Sequence, residues 1–447
     1  MKRKQQRLEV VHRNCAGIDV GGSFHMVAID PERGEACGEG PVRKFEAYTD
    51  DLEAMAAWLR SMGVKVVALE ATGVYWIAPY EVLERHGFEV HLVDSRSCKQ
   101  ARKSDVLDCQ WIQRLMSYGL LRAAFRPADE WCVVRSYVRQ QAALIRDQAR
   151  SVQQMQKALT QMNLQLGNVL SDIAGKTGMA ILRAIVAGER DGEKLARLRD
   201  RRVKADQATI ARSLTGNWRE EHLHALGQAL ERYDFFAAQI EACEQRILAS
   251  LERLPATGEE SPAPPQGKTR ASRAHRSATD ERRLQAVLHR ALGVDLTAIP
   301  AIGTNTALVV ATELGRDLSR FPDSAHFCSW TNLAPSTRIS GGKPLGGRGS
   351  KAVNRLGEAL KLAAVNARRS DSFIGASHRA RLMRMDKATA VKATAHQLAR
   401  LIYAMLTKGQ PYVERGIEHF EQERHHRQRR ALERRARALG YVLTQAA

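Results

Sequence analysis

The 447-residue chain is predicted to combine an α/β domain with a mostly helical remainder. Short apolar strands alternate with helical patterns over roughly the first 125 residues, and nearly pure helical periodicity follows. Aromatic residues make up only 6% of the chain while charged residues make up 26%, which favours a helix-rich protein over a β-sandwich or a secreted disulfide scaffold. The length allows two to four domains.

The first 125 residues contain three strand patterns and then alternating helices and strands. Gly-rich or polar turns separate the first three strands, as in a hairpin meander. The later apolar runs are typical of buried parallel strands. The predicted elements are strands at 17–20, 24–29 and 42–45, a helix at 51–62, a strand at 64–69, a helix at 74–85, a strand at 88–93 and a helix at 104–118. The order β-β-β-α-β-α-β-α is that of the ribonuclease-H-like fold.

The rest of the chain is predicted to be helical, with one interruption rich in proline. Apolar residues seven apart indicate either a coiled-coil seam between chains or one long helix packed on its own domain; they are Val138, Ile145, Val152, Leu159 and Leu166. The segment after Leu254 has almost no bulky apolar residue and is predicted to be a linker. The expected divisions are 1–126 (α/β), 127–254 (helical or coiled coil), 255–282 (linker), 283–415 (C-terminal domain) and 416–447 (charged helical tail).

The charge balance indicates a polyanionic partner. Lys and Arg number 69 and Asp and Glu number 49, which gives a formal charge of +20. DNA or RNA is the usual partner for such an excess. Residues 336–410 alone hold 15 Lys and Arg against three acids. Four of these cations surround Ser340 in a Gly-rich segment and are expected to contact phosphates, although a solvated basic surface is the alternative; they are Arg338, Lys343, Arg348 and Lys351.

The sequence predicts a soluble, cytoplasmic protein with reduced thiols. No stretch has the roughly 18 to 20 continuous apolar residues of a membrane span, and the first residues lack the apolar core of a signal peptide. The seven cysteines form no C-x-x-C pair and no zinc-type spacing with histidine.

Four carboxylates stand where an α/β sheet presents its functional site. Asp19 and Glu70 end two predicted core strands, and Asp105 and Asp108 share one face at the start of a helix. An acid in a first helical turn is explained equally well by the helix dipole. Four acids together, however, repel one another unless a cation lies among them, and Mg²⁺ or Mn²⁺ prefers such oxygen ligands. Asp94, after the strand at 88–93, is a weaker fifth candidate.

At these residues the chain resembles a known family. GIDV at 17–20, LEATG at 69–73 and KSDVLDC at 103–109 resemble the D-E-D-D motifs of the transposases of the insertion sequence 110 family, whose N-terminal domain is RuvC-like. Residues 296–414 are similar to the C-terminal transposase domain of that family. The segments that carry this second similarity are IPAIG at 299–303, the tract 321–334 and PSTRISG at 335–341.

The resemblance implies a function and its residues. It implies a metal-binding tetrad of Asp19, Glu70, Asp105 and Asp108, a catalytic serine at Ser340 in a C-terminal loop, and Mg²⁺ or Mn²⁺ as cofactor. It also implies a recombinase that is guided by a bridge RNA pairing with donor and target DNA, that works as a dimer or tetramer, and that acts in the prokaryotic cytoplasm at the nucleoid. A covalent phosphoserine intermediate is expected.

Three other functions remain open on the sequence. Residues 17–23 also resemble the first phosphate loop of sugar kinases and actin-like ATPases, but the second Asp-Gly-Gly loop of those proteins is absent from the sequence. A RuvC-like endonuclease of branched DNA would use the four acids with metal-activated water and leave Ser340 inert. A nucleic-acid-binding scaffold would need no catalytic residue.

Overall fold

A computed structural model describes residues 9–94, 98, 104–257, 278–335, 338–345, 354–409, 411–413, 415–442 and 444 of the chain. The chain divides into two compact units, Met1–Phe125 and Arg126–Ala447. None of the helices in this described part is long and apolar enough to cross a membrane. All seven cysteines are free thiols.

The first unit is built on a five-stranded sheet in the order β3-β2-β1-β4-β5. Strand β1 pairs antiparallel with β2 and parallel with β4, and β4 pairs parallel with β5. This mixed sheet confirms the ribonuclease-H-like arrangement expected from the sequence. The elements are β1 (Cys15–Val20), β2 (Phe24–Ala28), α1 (Pro31–Ala36), β3 (Val42–Glu46), α2 (Thr49–Ser61), β4 (Val66–Glu70), α3 (Ile77–Arg85), β5 (Glu89–Val93) and α4 (Asp105–Ser117).

Strand alternation in β1 divides the first unit into two cores. Ala16, Ile18 and Val20 pack in the same core as residues of α2 and α3. Cys15, two positions before Gly17, packs instead with Ile112 of α4 and with residues of β4. Because successive side chains of a strand point to opposite faces, the residues at positions 15, 17 and 19 face α4.

The second unit begins with two long helices that pack along each other. Helices α5 (Asp129–Gln161) and α10 (Glu220–Glu252) have 33 residues each, which corresponds to about 50 Å. The Gln148 side chain of α5 donates to the backbone carbonyl of Tyr233 in α10 at 3.3 Å. Four shorter helices lie between them in sequence: α6 (Leu166–Val169), α7 (Lys176–Val186), α8 (Gly192–Ala196) and α9 (Gln207–Ser213).

The long helix expected from the heptad pattern is therefore packed at least partly within its own chain. Leu159 is buried against the inserted helices together with Met155 and Leu226. Leu166, the last residue of the pattern, lies in α6 and not in α5. Ile145 remains 39% exposed, so the seven-residue spacing does not produce one continuous buried seam.

The C-terminal part of the second unit is helical with one small hairpin. Its first helix begins at Ala278, inside the segment predicted to be linker at 255–282, of which 258–277 lie outside the described residues. Thr257 already packs on this helix, since its hydroxyl donates to the Ala291 carbonyl at 3.0 Å. The elements are α11 (Ala278–Leu292), a 3-10 turn (Leu296–Ala298), α12 (Thr304–Leu314), α13 (Ser324–Trp330), β6 (Arg338–Ser340), β7 (Lys343–Leu345), α14 (Arg355–Ala367), α15 (Phe373–Leu382), α16 (Lys387–Lys408) and α17 (Gly416–Ala438).

Candidate active site

Asp19 and Glu70 lie side by side at one edge of the first unit's sheet. Strands β1 and β4 run parallel with Ile18 opposite Leu69, so the next residue of each strand stands at the same level. Both strands are buried up to this point, and both acids are only partly buried. The sheet therefore delivers two carboxylates to the edge where parallel strands end, which is the usual position of a site in α/β folds.

Helix α4 adds two more acids because it packs directly on β1. A Cβ atom at Gly17 would lie 2.2 Å from the backbone nitrogen of Gln113 and 2.5 Å from the carbonyl oxygen of Cys109. Only a glycine therefore permits this approach of helix and strand. Ser104 caps the helix, with its hydroxyl accepting from the Leu107 amide at 3.3 Å.

Asp105 and Asp108 occupy the first turn of α4, beside the sheet edge that carries Asp19. They are three residues apart on one side of the helix. Cys109 and Ile112, which follow Asp108 along α4, are fully buried against the sheet. Asp105 is exposed and Asp108 is partly buried. We refer to Asp19, Glu70, Asp105 and Asp108 as the acid cluster.

The pKa of Asp19 is raised by burial and by the other three members of the acid cluster. Burial, followed by repulsion from Glu70, Asp105 and Asp108, raises the pKa of Asp19 from 3.8 to about 6. A hydrogen bond with the Glu70 carboxyl group contributes in the same direction. The ionised form of Asp19 is thus less favourable in the folded protein than in the unfolded chain.

The donor chemistry of the acid cluster fits a hard divalent cation, although its ligands are not fully gathered. All four side chains offer carboxylate oxygens, which Mg²⁺ and Mn²⁺ prefer. Among the described residues, however, no three His, Cys, Asp or Glu side chains are arranged closely enough to hold one metal ion. The carboxylates would have to move closer to one another when a cation binds, because without a cation their negative charges repel one another.

Asp94 stands apart from this cluster. It follows β5 directly, at the same edge of the sheet, and is exposed. It is not among the charges that raise the pKa of Asp19. The three acids whose charges raise the pKa of Asp19 are the other three that the sequence motifs select.

Three residues of the site were not selected from the sequence. Gly17 permits the contact between helix and strand, and the Thr72 hydroxyl lies 3.2 Å from Glu70 Oε1, to which it donates. The Tyr75 ring is 52% exposed and lies against Gly22, where a Cβ atom would be 3.3 Å from the ring. Gly17 stands in the GIDV motif and Thr72 in the LEATG motif, although neither motif shows what its residue contacts, and no local pattern marks Tyr75.

Ser340 belongs to the second unit and ends a strand. The sequence predicted a loop, but β6 and β7 form an antiparallel hairpin in which Ser340 pairs with Lys343. Gly341 and Gly342 form its turn with φ values of 57° and 76°. Positive φ angles at both central residues are required by the type I′ turn, one of the turns that two-residue hairpin loops favour. The serine is therefore held at a defined backbone position.

The four cations predicted to surround the serine are only partly described. Lys343 is exposed at the start of β7. The backbone of Arg338 begins β6, but the side chains of Arg338 and Ser340 lie outside the described residues. Arg348 and Lys351 lie outside them entirely. The phosphate contacts expected of this segment thus stay a prediction.

Comparison with known proteins connects both parts of the chain to one family. Residues 16–164 match the family model of the DEDD transposases of IS110, and residues 295–379 match the model described as the transposase of the IS116/IS110/IS902 family. Together these matches cover just over half of the chain. The first match includes the whole acid cluster, and the second includes the serine hairpin.

A curated relative gives a shorter match. The chain is 32% identical over 122 residues to an uncharacterized 43.6 kDa protein of insertion element IS110 from Streptomyces coelicolor. The aligned region is 27% of this chain and spans 30% of the relative's length.

Proposed function

The chain belongs to the IS110 family of transposases, and from this we propose that it is a DNA transposase that inserts and excises its own mobile element. The observation that carries the proposal is the placement of Asp19, Glu70, Asp105 and Asp108 at one edge of the sheet, inside the matched region. A carboxyl group kept at a pKa of about 6 by three neighbouring acids and by burial is costly for folding, and such perturbed groups concentrate at functional sites.

The acid cluster would hold Mg²⁺ or Mn²⁺. A divalent cation there would stabilise the charge that develops on a DNA phosphate during displacement. Glu70 and Asp19 are fixed by the sheet, and Asp105 and Asp108 by the first turn of α4. Thr72 orients the Glu70 carboxylate through its hydrogen bond.

Ser340 is the proposed nucleophile. Its hydroxyl oxygen would form a bond to a DNA phosphorus as the bond from that phosphorus to a deoxyribose oxygen breaks. The serine proton would pass to a carboxylate of the acid cluster, within one protomer or between two, and the departing deoxyribose oxygen would take up a proton. A hydroxyl of a second DNA end would then displace the serine in the reverse sense, which completes strand exchange.

The partners follow from the same proposal. Donor and target DNA would be held by the positively charged second unit, and a bridge RNA would supply the sequence specificity. The active protein would be a dimer or tetramer in the cytoplasm, associated with the nucleoid. The chain's formal charge of +20 supports a polyanionic partner of this kind.

Substitution of Ser340 by alanine tests the proposed nucleophile. With plasmid donor and target, purified protein, Mg²⁺ and the RNA from the flank of its gene, Ser340→Ala is expected to abolish strand exchange and the covalent protein–DNA adduct. Ser136→Ala is the matched control, because this exposed serine donates only to the Cys132 carbonyl in its own helix. Denaturing gels of labelled DNA would separate adduct, cut DNA and recombined product.

The outcomes separate the alternatives. A protein that still cuts DNA after Ser340→Ala but stops cutting after Asp19→Asn is a metal-dependent endonuclease. A wild-type protein that binds nucleic acid but never cuts it is a scaffold. Recombination by Ser340→Ala at the wild-type rate would falsify the serine mechanism.

A further inference from the structure

A cavity of about 600 Å³ lies beside α16 in the second unit, away from the serine hairpin in sequence. It is lined mainly by α16, together with Arg381 of α15 and Ser324 of α13. Its basic lining residues are Arg381, His396, Arg400 and Lys408, and none of the described lining residues is acidic. The cavity is therefore suited to an anion.

Within the described residues, the hydrogen-bond partners of the Arg381 guanidinium are neutral. Its guanidinium donates to the Thr394 hydroxyl at 2.8 Å and to the Gln397 side-chain oxygen at 2.7 Å. Burial, together with the nearby charges of Arg384 and Arg427, lowers its pKa. A cation that is fixed, partly buried and surrounded by like charge gains from an anionic ligand.

Two further cations stand on the solvent side of the cavity. Arg400 and Lys408 are exposed. Two acids that stand near lining residues in sequence, Asp323 before Ser324 and Asp386 before α16, are used as helix caps. Asp323 accepts from the Ala325 and His326 amides at the start of α13, and Asp386 accepts from the Thr389 amide at the start of α16.

A second cavity, of about 440 Å³, continues the first along α16. The two share Gln397, Leu401 and Ala404 as lining residues. The second is lined by the rings of Phe373 and Tyr412, with only Arg415 as a charged residue among those described. We call the two cavities together the α16 groove, which has a cationic half and an aromatic half.

We propose that the α16 groove binds a single-stranded segment of nucleic acid. Its phosphates would contact Arg381, Arg400 and Lys408, and a base would stack on Tyr412. Single-strand sites combine a cationic track for the backbone with aromatic platforms for the bases. A double helix keeps its bases stacked inside and cannot place one in a concave pocket, so the aromatic half favours an unpaired strand. The inference rests on the proposed function only in taking nucleic acid as the partner.

The test compares single-stranded with duplex DNA on the full-length protein. Fluorescence anisotropy with a labelled 12-nucleotide oligo(dT) and a 12-base-pair duplex would be measured at several salt concentrations. Arg400→Gln combined with Lys408→Gln is expected to weaken oligo(dT) binding about tenfold and to reduce the salt slope by about 1.4, since each single-strand phosphate contact contributes about 0.7. Duplex binding is expected to change less than about twofold.

A matched control removes the same charge elsewhere. Lys157→Gln combined with Arg232→Gln alters two exposed cations on α5 and α10, outside the groove. It is expected to leave oligo(dT) binding within about twofold of wild type. Tyr412→Leu tests the aromatic half and is expected to weaken oligo(dT) binding at least about fivefold with the salt slope unchanged, because stacking is not ionic.

Three results would overturn the assignment. Groove variants that bind oligo(dT) like the control pair would exclude the α16 groove while leaving the proposed transposase intact. Equal weakening of duplex and single strand would show a general basic surface. Wild-type protein that binds neither DNA at low salt would overturn both this inference and the proposed function.

Discussion

Asp19 is the residue whose ionisation links the acid cluster to the stability of the protein. Its pKa is raised from 3.8 to about 6, first by burial and then by the three neighbouring acids. The folded protein thus holds a proton at Asp19 more tightly than the unfolded chain does. A bound cation would reverse this preference, because it favours the ionised carboxylate.

The first prediction concerns pH. Between about pH 4 and pH 6 the folded state binds more protons at Asp19 than the unfolded state, so the free energy of unfolding falls as pH rises through this window. Asp19→Asn should remove this loss. In EDTA, the free energy of unfolding of the variant minus that of wild type should rise by about 1–2 kcal/mol from pH 4.5 to pH 7.5, after allowance for solvent screening. Urea unfolding at both pH values measures the difference.

Two comparisons make this prediction specific. Asp50→Asn removes an exposed acid from the first turn of α2 and should not reproduce the pH-dependent gain. Adding Mn²⁺ should stabilise wild type more at pH 7.5 than at pH 4.5. If wild type and Asp19→Asn differ by the same amount at both pH values, Asp19 does not carry the raised pKa.

At the scale of elements, the contact between β1 and α4 determines whether the acid cluster forms. The two elements touch through their backbones at Gly17, with no side chain between them. The helix face that bears Cys109 and Ile112 is buried there, and the first turn carries Asp105 and Asp108. Displacement of α4 would therefore separate two acids from the other two.

The second prediction follows from this contact. A methyl group at Gly17 would overlap the backbone of α4 at Gln113 and Cys109, so Gly17→Ala should push the helix away from the sheet. We expect a loss of about 1–3 kcal/mol in the free energy of unfolding, as for other overpacked cores. We also expect Mn²⁺ affinity to fall at least about tenfold, as it does when residues that orient ligands are altered. Urea unfolding and calorimetric titration measure the two effects.

Gly40→Ala is the matched control in the same unit. A Cβ atom at Gly40 would meet only the Val42 carbonyl, at 3.9 Å, so stability should change by less than about 0.5 kcal/mol. If Gly17→Ala keeps wild-type stability and wild-type Mn²⁺ affinity, the packing of α4 on β1 does not position the acid cluster.

Elements with a strong local pattern could be predicted from the sequence. Strand β4 appears as an apolar run that ends at Glu70, and the helix predicted at 51–62 is observed as α2, Thr49–Ser61. Helix α1 was missed because it has only six residues, which start at a proline after the capping Asp30. The hairpin at Ser340 was read as a loop, since its glycines indicate a turn and its strands have three residues each.

Residues of the candidate site could be predicted only where a chemically reactive side chain stands inside a recognisable sequence motif. The four acids stand at recognisable strand and helix ends, so their type and position could be read directly. Gly17 opens the GIDV motif, but its packing role could not be read from that motif, because it depends on contacts with Cys109 and Gln113 of a helix much later in the chain. The α16 groove depends likewise on contacts between α15, α16 and the segment at 411–413, which no periodicity reveals.

At the scale of the whole molecule, the charge is divided unequally between the two units. Residues 1–125 contain 17 Lys and Arg and 17 Asp and Glu, whereas residues 126–447 contain 52 and 32. The entire formal excess of +20 thus belongs to the second unit. The acid cluster sits on a unit that is neutral overall, and the excess positive charge belongs to the other unit.

The last prediction follows from this division. After purification at low salt, the full chain and a fragment of residues 126–447 should retain nucleic acid. A fragment of residues 1–125 should retain none, because its 17 acids balance its 17 cations and leave no net positive charge to bind phosphates. Absorbance ratios and sequencing of the extracted RNA measure this, with circular dichroism as the check that each fragment is folded. We expect release by high salt and, from the full chain, one structured RNA encoded beside its gene. Equal retention by residues 1–125 would contradict the division of roles, and a mixture of unrelated cellular RNAs would contradict the guide.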